Sequence, residues 1–114
     1  MSGASGVKAM IDNKMIARAV DLLLRAAPGA RVILFGSYAR GQAGPESDLD
    51  LLVVEPEVGS RRAEMVRLRD ALRPLRIPAD VLVTSDADFR EWRDAPGTVF
   101  YEAAREGRVF DGSS

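Results

Sequence analysis

"GSYARGQAGPESDLDLLVV" (Gly36–Val54) is the stretch of this sequence that decides the fold. It begins with a Gly-Ser pair, continues through a polar loop, and ends in an apolar run that opens with two aspartates one residue apart. Ionised carboxylates at the entrance of a buried strand are costly unless another group compensates their charge. The identity of that compensating group is the question that leads to function.

The two aspartates, Asp48 and Asp50, are predicted to share one face of a strand, because side chains alternate along a strand. Their Cα atoms would lie ~7 Å apart, and two carboxylates so placed repel each other. Asp80 lies at the start of the third predicted strand. If the second and third strands are neighbours, Asp80 lies at the same end of the sheet as Asp48 and Asp50. Oxygen donors suit Mg²⁺, Mn²⁺ or Ca²⁺, and three such residues can hold two ions that clamp a phosphoryl or nucleotidyl group. A divalent metal is therefore the predicted partner of the three carboxylates.

The Gly36-Ser37 pair follows the first predicted strand and suits a phosphate-binding turn. Glycine allows close approach of the backbone, and Ser37 begins a helical turn whose free N–H groups favour anions. Arg40, one turn further on, can reach the same phosphates with its planar guanidinium. We therefore expect a triphosphate to be held between this turn and the metal ions.

The rest of the sequence predicts an α/β (α+β) fold, a small mixed sheet with helices packed on it. Asp12 and Ser60 are expected to cap helices, and Gly107 to end the last one. The pattern leaves the strand directions open. Residues 1–11 are expected to be disordered and residues 12–111 to form one domain. Helices are predicted at 12–27, 60–73, 85–92 and 98–107, and strands at 31–35, 48–55, 79–85 and 108–110.

The composition excludes several kinds of site. The 114 residues include no cysteine and no histidine, so disulfides, thiolate nucleophiles, imidazole bases and the usual zinc sites are excluded. The net charge of −1 provides no general basic field, so nucleic acid is not expected as a direct ligand. No apolar run approaches the ~20 residues of a membrane span, and no signal peptide is visible. The expected location is the cytoplasm.

The Gly36–Val54 motif resembles the signature of the DNA polymerase beta-like nucleotidyltransferases, which is a Gly-Ser pair, a short helix, and Asp-x-Asp on the next strand. Its flanks are similar to those of the minimal nucleotidyltransferases, and the resemblance extends to the tail "YEAAREGRVF". It implies transfer of a nucleotide from ATP with two Mg²⁺ ions. Asp48, Asp50 and Asp80 match the metal-binding carboxylates of the family, Gly36 and Ser37 its phosphate-binding pair, and Arg40 a recurrent motif arginine. Many members are similar to antitoxins that attach AMP to a tyrosine of a HEPN toxin.

Three functions remain open at this point. The chain could adenylylate a partner toxin, could mask that toxin by binding with a vestigial site, or could transfer a nucleotide to a small molecule or an RNA end. An intact set of motif residues favours catalysis, because masking requires none of them. A series of arginines between residues 61 and 73 is interpreted as a solvated helix face, with a partner or RNA site as the alternative.

Overall fold

The computed structural model describes residues 11–112, which form five helices and four strands together with a short 3-10 turn at Arg73–Leu75. Residues 1–10, where most of the predicted disordered segment falls, lie outside the described residues. The helices are α1 (Asn13–Ala26), α2 (Ser37–Arg40), α3 (Arg61–Ala71), α4 (Asp86–Trp92) and α5 (Val99–Glu106), and the strands are β1 (Arg31–Phe35), β2 (Leu49–Glu55), β3 (Ala79–Ser85) and β4 (Arg108–Asp111).

The four strands form one mixed sheet in the order β3-β2-β1-β4. β1 pairs antiparallel with both β2 and β4, whereas β2 and β3 run parallel. The parallel pair is connected through α3, as the long crossover of a parallel connection requires. The predicted mixed sheet with packed helices is therefore confirmed, and the strand directions that the sequence left open are now defined.

Helices cover both faces of the sheet. One face carries α1 and α3 over a core that includes Leu23, Leu51 and Leu68. The other carries α4 and α5 over a smaller core built around Phe89 and Leu52. Because β2 is covered on both faces, its apolar residues form an unbroken run rather than an alternating pattern.

Local signals set the helix ends much as the sequence predicts. The side chain of Asp12 accepts a hydrogen bond from the backbone N–H of Met15 at 2.8 Å, and Ser60 does the same for Ala63 at 3.2 Å. Gly107 ends α5 as expected, but its backbone is extended rather than left-handed. Glycine is required there because a Cβ would collide with the carbonyl oxygen of Ala103 and with the side chain of Ile33. No helix within residues 11–112 is long and apolar enough to cross a membrane.

Candidate active site

Three chain segments that are distant in sequence meet at one end of the sheet. In the register of the sheet, Asp50 of β2 lies opposite Phe35 at the end of β1 on one side and Asp80 of β3 on the other. The N–H of Leu49 donates to the carbonyl oxygen of Pro78 at 2.9 Å and extends this register beyond the first residue of β3. The predicted adjacency of Asp50 and Asp80 is therefore a property of the strand pairing.

Alternation along β2 places Asp50 on the face that carries α4 and α5. Leu52 and Val54, two and four residues further on, belong to the core on that face, while Leu49 and Leu51 pack on the opposite side. Asp48 immediately precedes the strand. Asp50 is half-buried, whereas Asp48 and Asp80 are exposed. The site is thus an open sheet edge with one partly desolvated carboxylate between two solvated ones.

Gly36 closes the site against Asp50. Its backbone has φ 76° and ψ −155°, a conformation that residues with a side chain rarely adopt. A Cβ at this position would collide with Oδ2 of Asp50 and would lie 3.1 Å from its Cγ. Two independent constraints, conformation and space, therefore require glycine, and they bring the backbone of the turn directly against the carboxylate.

The turn after Gly36 is short and well braced. The carbonyl oxygen of Gly36 accepts hydrogen bonds from the N–H groups of Ala39 and Arg40, both at 3.1 Å. The Tyr38 hydroxyl accepts a hydrogen bond from the N–H of Ile11 at 2.9 Å, which ties α2 to the start of the described chain. Ser37 is the first residue of α2, where the N–H groups of a helix have no partner within the helix. The backbone of this turn therefore offers free donors beside Asp50.

The loop that leads to Asp48 is held by reciprocal hydrogen bonds. The N–H of Gly44 donates to the Ser47 hydroxyl at 2.9 Å, and the N–H of Ser47 donates to the carbonyl oxygen of Gly44 at 3.1 Å. This compact turn fixes the backbone immediately before Asp48. The polar residues of the loop therefore position the first carboxylate rather than merely connecting α2 to β2.

Asp50 lies in an unfavourable electrostatic environment. Burial raises its pKa most, followed by the carboxylates of Asp80, Asp48 and Glu102. The Arg40 guanidinium lowers that pKa by less than any of these groups raises it. Desolvation and neighbouring negative charges both disfavour an ionised carboxylate, so the site attracts a positive charge.

Arg40 makes contacts that the sequence did not predict. Its Nη1 donates to Glu102 at 3.0 Å and to Glu106 at 3.2 Å, and its Nε donates to Gln42 at 3.2 Å. Both glutamates lie one turn apart on α5, and their hydrogen bonds raise the pKa of Arg40. The guanidinium thus stands beside the site, but in this structure it is held by α5. Its expected contact with phosphate stays a prediction.

Glu102 is the site-bordering residue that sequence reasoning missed. It influences Asp50 and binds Arg40, although 52 positions separate it from Asp50 in the sequence. Its location follows from two non-local features, the pairing of β4 with β1 and the close packing of Gly107 against Ile33. The spacing of Glu102 and Glu106 on one helix face was visible in the sequence, but that spacing does not reveal which surface the face meets.

The donor set fits a divalent cation, although the carboxylates do not form a closed cage. Within residues 11–112, no three acidic side chains are close enough together to hold an ion by themselves. The available ligands are nevertheless all carboxylate oxygens, which Mg²⁺ and Mn²⁺ prefer. Burial and the neighbouring carboxylates raise the pKa of Asp50, and added positive charge would offset the repulsion among these carboxylates. Asp48, Asp50 and Asp80 are therefore chemically suited to bind the metal together with the phosphate oxygens of a substrate.

Solved structures share this fold. A chain of a toxin-antitoxin structure with AMP-PNP superposes with a TM-score of 0.60 at 21% identity, over 84% of this chain and 73% of that chain. A chain from the complex of a tri-AMPylated Shewanella oneidensis HEPN toxin with MNT antitoxin gives a TM-score of 0.56 at 17% identity, over 84% and 69%. At these identities the likeness establishes the fold.

Sequence comparison gives the family. The chain is 39% identical over 54 residues to a predicted protein adenylyltransferase of Methanocaldococcus jannaschii. That alignment covers 47% of this chain and 54% of the relative, so the chain spans about half the length of the curated relative that it matches. The model of the nucleotidyltransferase domain family matches residues 16–108. This range includes all of β1, β2 and β3, the first residue of β4, and all the predicted site residues. The chain therefore belongs to the nucleotidyltransferase domain family.

Proposed function

We propose that this chain is an ATP- and Mg²⁺-dependent adenylyltransferase that attaches AMP to a tyrosine hydroxyl of a partner HEPN toxin and thereby acts as its antitoxin. Residues 12–111 would form the single catalytic domain, working in the cytoplasm. Family membership supports nucleotidyl transfer. Two findings support a toxin protein as the acceptor of AMP. The relative is a predicted protein adenylyltransferase, and the structural neighbours come from toxin-antitoxin pairs.

One observation carries the proposal, the contact between Gly36 and Asp50. The backbone of Gly36, at which a helical turn begins, lies against a carboxylate that is itself paired in register with Asp80. N–H groups at a helix start bind phosphate oxygens, while carboxylates bind the cation that accompanies a triphosphate. Transfer of a nucleotide needs both functions within the span of one triphosphate, and this contact supports the proposal that one site provides them.

The residues of the chain take distinct roles in the proposed reaction. Ser37 and the backbone of α2 bind the phosphates, and Arg40 adds a positive charge when a triphosphate competes with Glu102 and Glu106. Asp48, Asp50 and Asp80 would hold two Mg²⁺ ions. These ions would supply positive charge that stabilises the negative charge developing on the phosphate oxygens. Asp80, exposed at the edge of the sheet, orients the acceptor hydroxyl and accepts its proton.

Bond changes in this scheme balance. The acceptor oxygen attacks the α-phosphorus of ATP and forms a P–O bond, while the bond from that phosphorus to the bridging oxygen breaks and pyrophosphate leaves. The proton of the hydroxyl passes to the Asp80 carboxylate and then to solvent. The products are an AMP ester of the acceptor and pyrophosphate.

The test is incubation of the purified protein with ATP, Mg²⁺ and a HEPN protein encoded beside it. We expect intact-mass spectra to show the HEPN protein heavier by one or more AMP units, with the label on a tyrosine. Asp50→Asn should abolish the increase, whereas Asp94→Asn, which removes an exposed charge from the turn after α4, should not. An unmodified HEPN protein that is nevertheless neutralised on mixing would establish masking instead, and label on a small molecule or RNA end would establish the third function.

A further inference from the structure

A groove lies beside the start of β3, at the same end of the sheet as the carboxylates. It has a volume of about 490 Å³ and is formed by the end of α3, the 3-10 turn and the segment that enters β3. Its last lining residue, Ala79, directly precedes Asp80. The proposed mechanism does not use this groove. Ala79 packs with the core on the α1 and α3 face, whereas Asp80 pairs with Asp50 and points to the other face, so an occupant reaches Asp80 by continuing around the end of the sheet. The lining residues are Arg69, Asp70, Leu72, Arg73, Arg76, Ile77, Pro78 and Ala79.

The rim of the groove carries an excess of positive charge. Three arginines face one aspartate, and the aspartate is already paired, since Arg73 contacts Asp70 at 2.7 Å. Arg69 and Arg76 are exposed and make no ion pair or side-chain hydrogen bond with the part of the chain that the structure describes. Two guanidinium groups are therefore available to an incoming ligand, in a protein whose net charge is −1.

The floor of the groove is apolar and its backbone is constrained. Leu72 is buried, and Ile77 packs partly buried against the larger core. Arg76 adopts φ 53°, a left-handed conformation in which residues other than glycine are uncommon, and its N–H donates to the carbonyl oxygen of Arg73 at 3.1 Å. Strained positions of this kind persist where the surrounding structure fixes them, and they are frequent at ligand-binding sites. The turn thus presents the Arg76 side chain from a fixed backbone position.

We propose that this groove docks an acidic segment of the acceptor protein and thereby delivers the acceptor hydroxyl to Asp80. The proposal rests on the proposed function in one respect, that the acceptor is a protein. Arg69 and Arg76 would bind carboxylates of that segment, while the floor formed by Leu72 and Ile77 would receive an aliphatic or aromatic side chain. An extended nucleic acid fits less well, because Asp48, Asp50 and Glu102 lie beyond Asp80 and would repel a continuing phosphate chain.

The binding probe is a fluorescent glutamate–tyrosine copolymer, which combines acidic groups with acceptor hydroxyls, and a lysine–tyrosine copolymer of equal length is the control. We expect the wild-type protein to bind the acidic probe, as measured by fluorescence anisotropy. The carboxylate site can attract the basic probe, and that binding should not depend on the arginines of the groove. Reversal of both free charges, Arg69→Glu with Arg76→Glu, should raise Kd at least ~10-fold, a change that corresponds to ~1.4 kcal/mol. Binding of AMP-PNP should be unchanged, because the groove lies outside the phosphate site.

Arg62→Glu is the matched control, since Arg62 is another exposed arginine of α3 without an ion pair among the described residues and lies outside the groove. It should leave binding of the acidic probe unchanged. A double Gln variant at Arg69 and Arg76, which removes charge without reversing it, should show a smaller loss in the same direction. Melting temperatures close to wild type would show that all three variants fold.

Several results would overturn the proposal. Absence of binding to the acidic copolymer, or an equal loss for Arg62→Glu, would show that the groove is not the docking site. Tighter groove-dependent binding of an RNA oligonucleotide would assign it to nucleic acid, and a wild-type dimer that the double Glu variant disrupts would assign it to a second copy of the chain. If the probe binds but no AMP is ever transferred, docking stands and the proposed reaction fails. If the double Glu variant modifies the HEPN protein at the wild-type rate, the reaction stands and docking fails.

Discussion

Replacement of Asp50 by asparagine should make the protein more stable while it abolishes nucleotide transfer. Asp50 is half-buried, it faces Asp80 across the strand pair, and both burial and neighbouring carboxylates raise its pKa. Cross-strand side-chain pairs contribute roughly 0.2–1 kcal/mol each, and like charges that face each other in this way are destabilising. Because solvent screens these partly exposed groups, we expect a gain of about 0.5 kcal/mol, which raises the melting temperature of a domain of this size by ~2–3 °C.

The pH dependence of stability follows from the direction in which the pKa of Asp50 is shifted. A carboxyl whose pKa is raised by folding holds more protons in the folded than in the unfolded protein as the pH rises above ~4, so stability falls with pH through that window. The cost remains in full once Asp50 is ionised in the folded state. The advantage of Asp50→Asn should therefore be complete at pH 7.5 and should shrink as the pH is lowered towards ~4.

Thermal unfolding followed by circular dichroism in EDTA measures this effect, with Asp94→Asn as the control for loss of an exposed charge. Addition of Mg²⁺ should then stabilise the wild type by mass action and leave Asp50→Asn almost unchanged. An asparagine variant that melts below the wild type at pH 7.5 in EDTA would refute the reasoning. It would show that the Asp50 carboxylate stabilises the metal-free protein, whereas our reasoning requires that it destabilise the protein until a cation binds.

Three further substitutions test the site, and a fourth tests the opposite end of β2. Asp80→Asn should fold and bind AMP-PNP normally, yet transfer AMP from radiolabelled ATP at least ~10²-fold more slowly, and a wild-type rate would exclude Asp80 as the base. Gly36→Ala should lose transfer and about 1–3 kcal/mol of unfolding free energy in urea titrations, since a positive φ and the collision with Asp50 both oppose a Cβ. Ser37→Ala should slow transfer with little change in melting temperature, and parallel losses of both would indicate a merely structural hydroxyl. At the far end of β2, burial and the facing Glu64 carboxyl raise the pKa of Glu55 to about 7. Ionisation of Glu55 therefore lowers the stability of the folded protein increasingly as the pH rises from 4.5 to about 7. Glu55→Gln should raise the melting temperature more at pH 8 than at pH 5.

Sequence patterns predict the elements of this fold well because their signals are local. The predicted bounds of β1 and β3 coincide with the observed strands, since each is a short apolar run bordered by turn residues. The caps at Asp12 and Ser60 form as expected, because a cap depends on residues only three positions apart. The adjacency of Asp50 and Asp80 also held, once β2 and β3 proved to be neighbours.

The sequence could not reveal the surroundings of Arg40, because they depend on the approach of α5. Arg40 lies more than 60 positions from its partners Glu102 and Glu106, and the pairing of β4 with β1 helps to hold α5 beside it. Arg40 was predicted to contact phosphate from its place one turn after Ser37. The motif itself contains no residue of α5, so it gave no sign of the two glutamates. For Arg40 to contact phosphate as predicted, its guanidinium would have to exchange two carboxylates for a triphosphate, and only the folded structure reveals that requirement.

The strongest argument for catalysis over a structural role is that a close backbone approach and an uncompensated carboxylate coincide at one contact. A turn that only joined β1 to α2 would not need to bring its backbone against the Asp50 side chain, and a strand position facing Asp80 would be more stable with a neutral residue. Gly36 and Asp50 bring both features to the same point. The carboxylate becomes favourable when a cation compensates its charge, and N–H groups at the start of a helical turn can bind phosphate oxygens. A single ligand, a metal-bound nucleoside triphosphate, would use both features, whereas masking a toxin by contact would use neither.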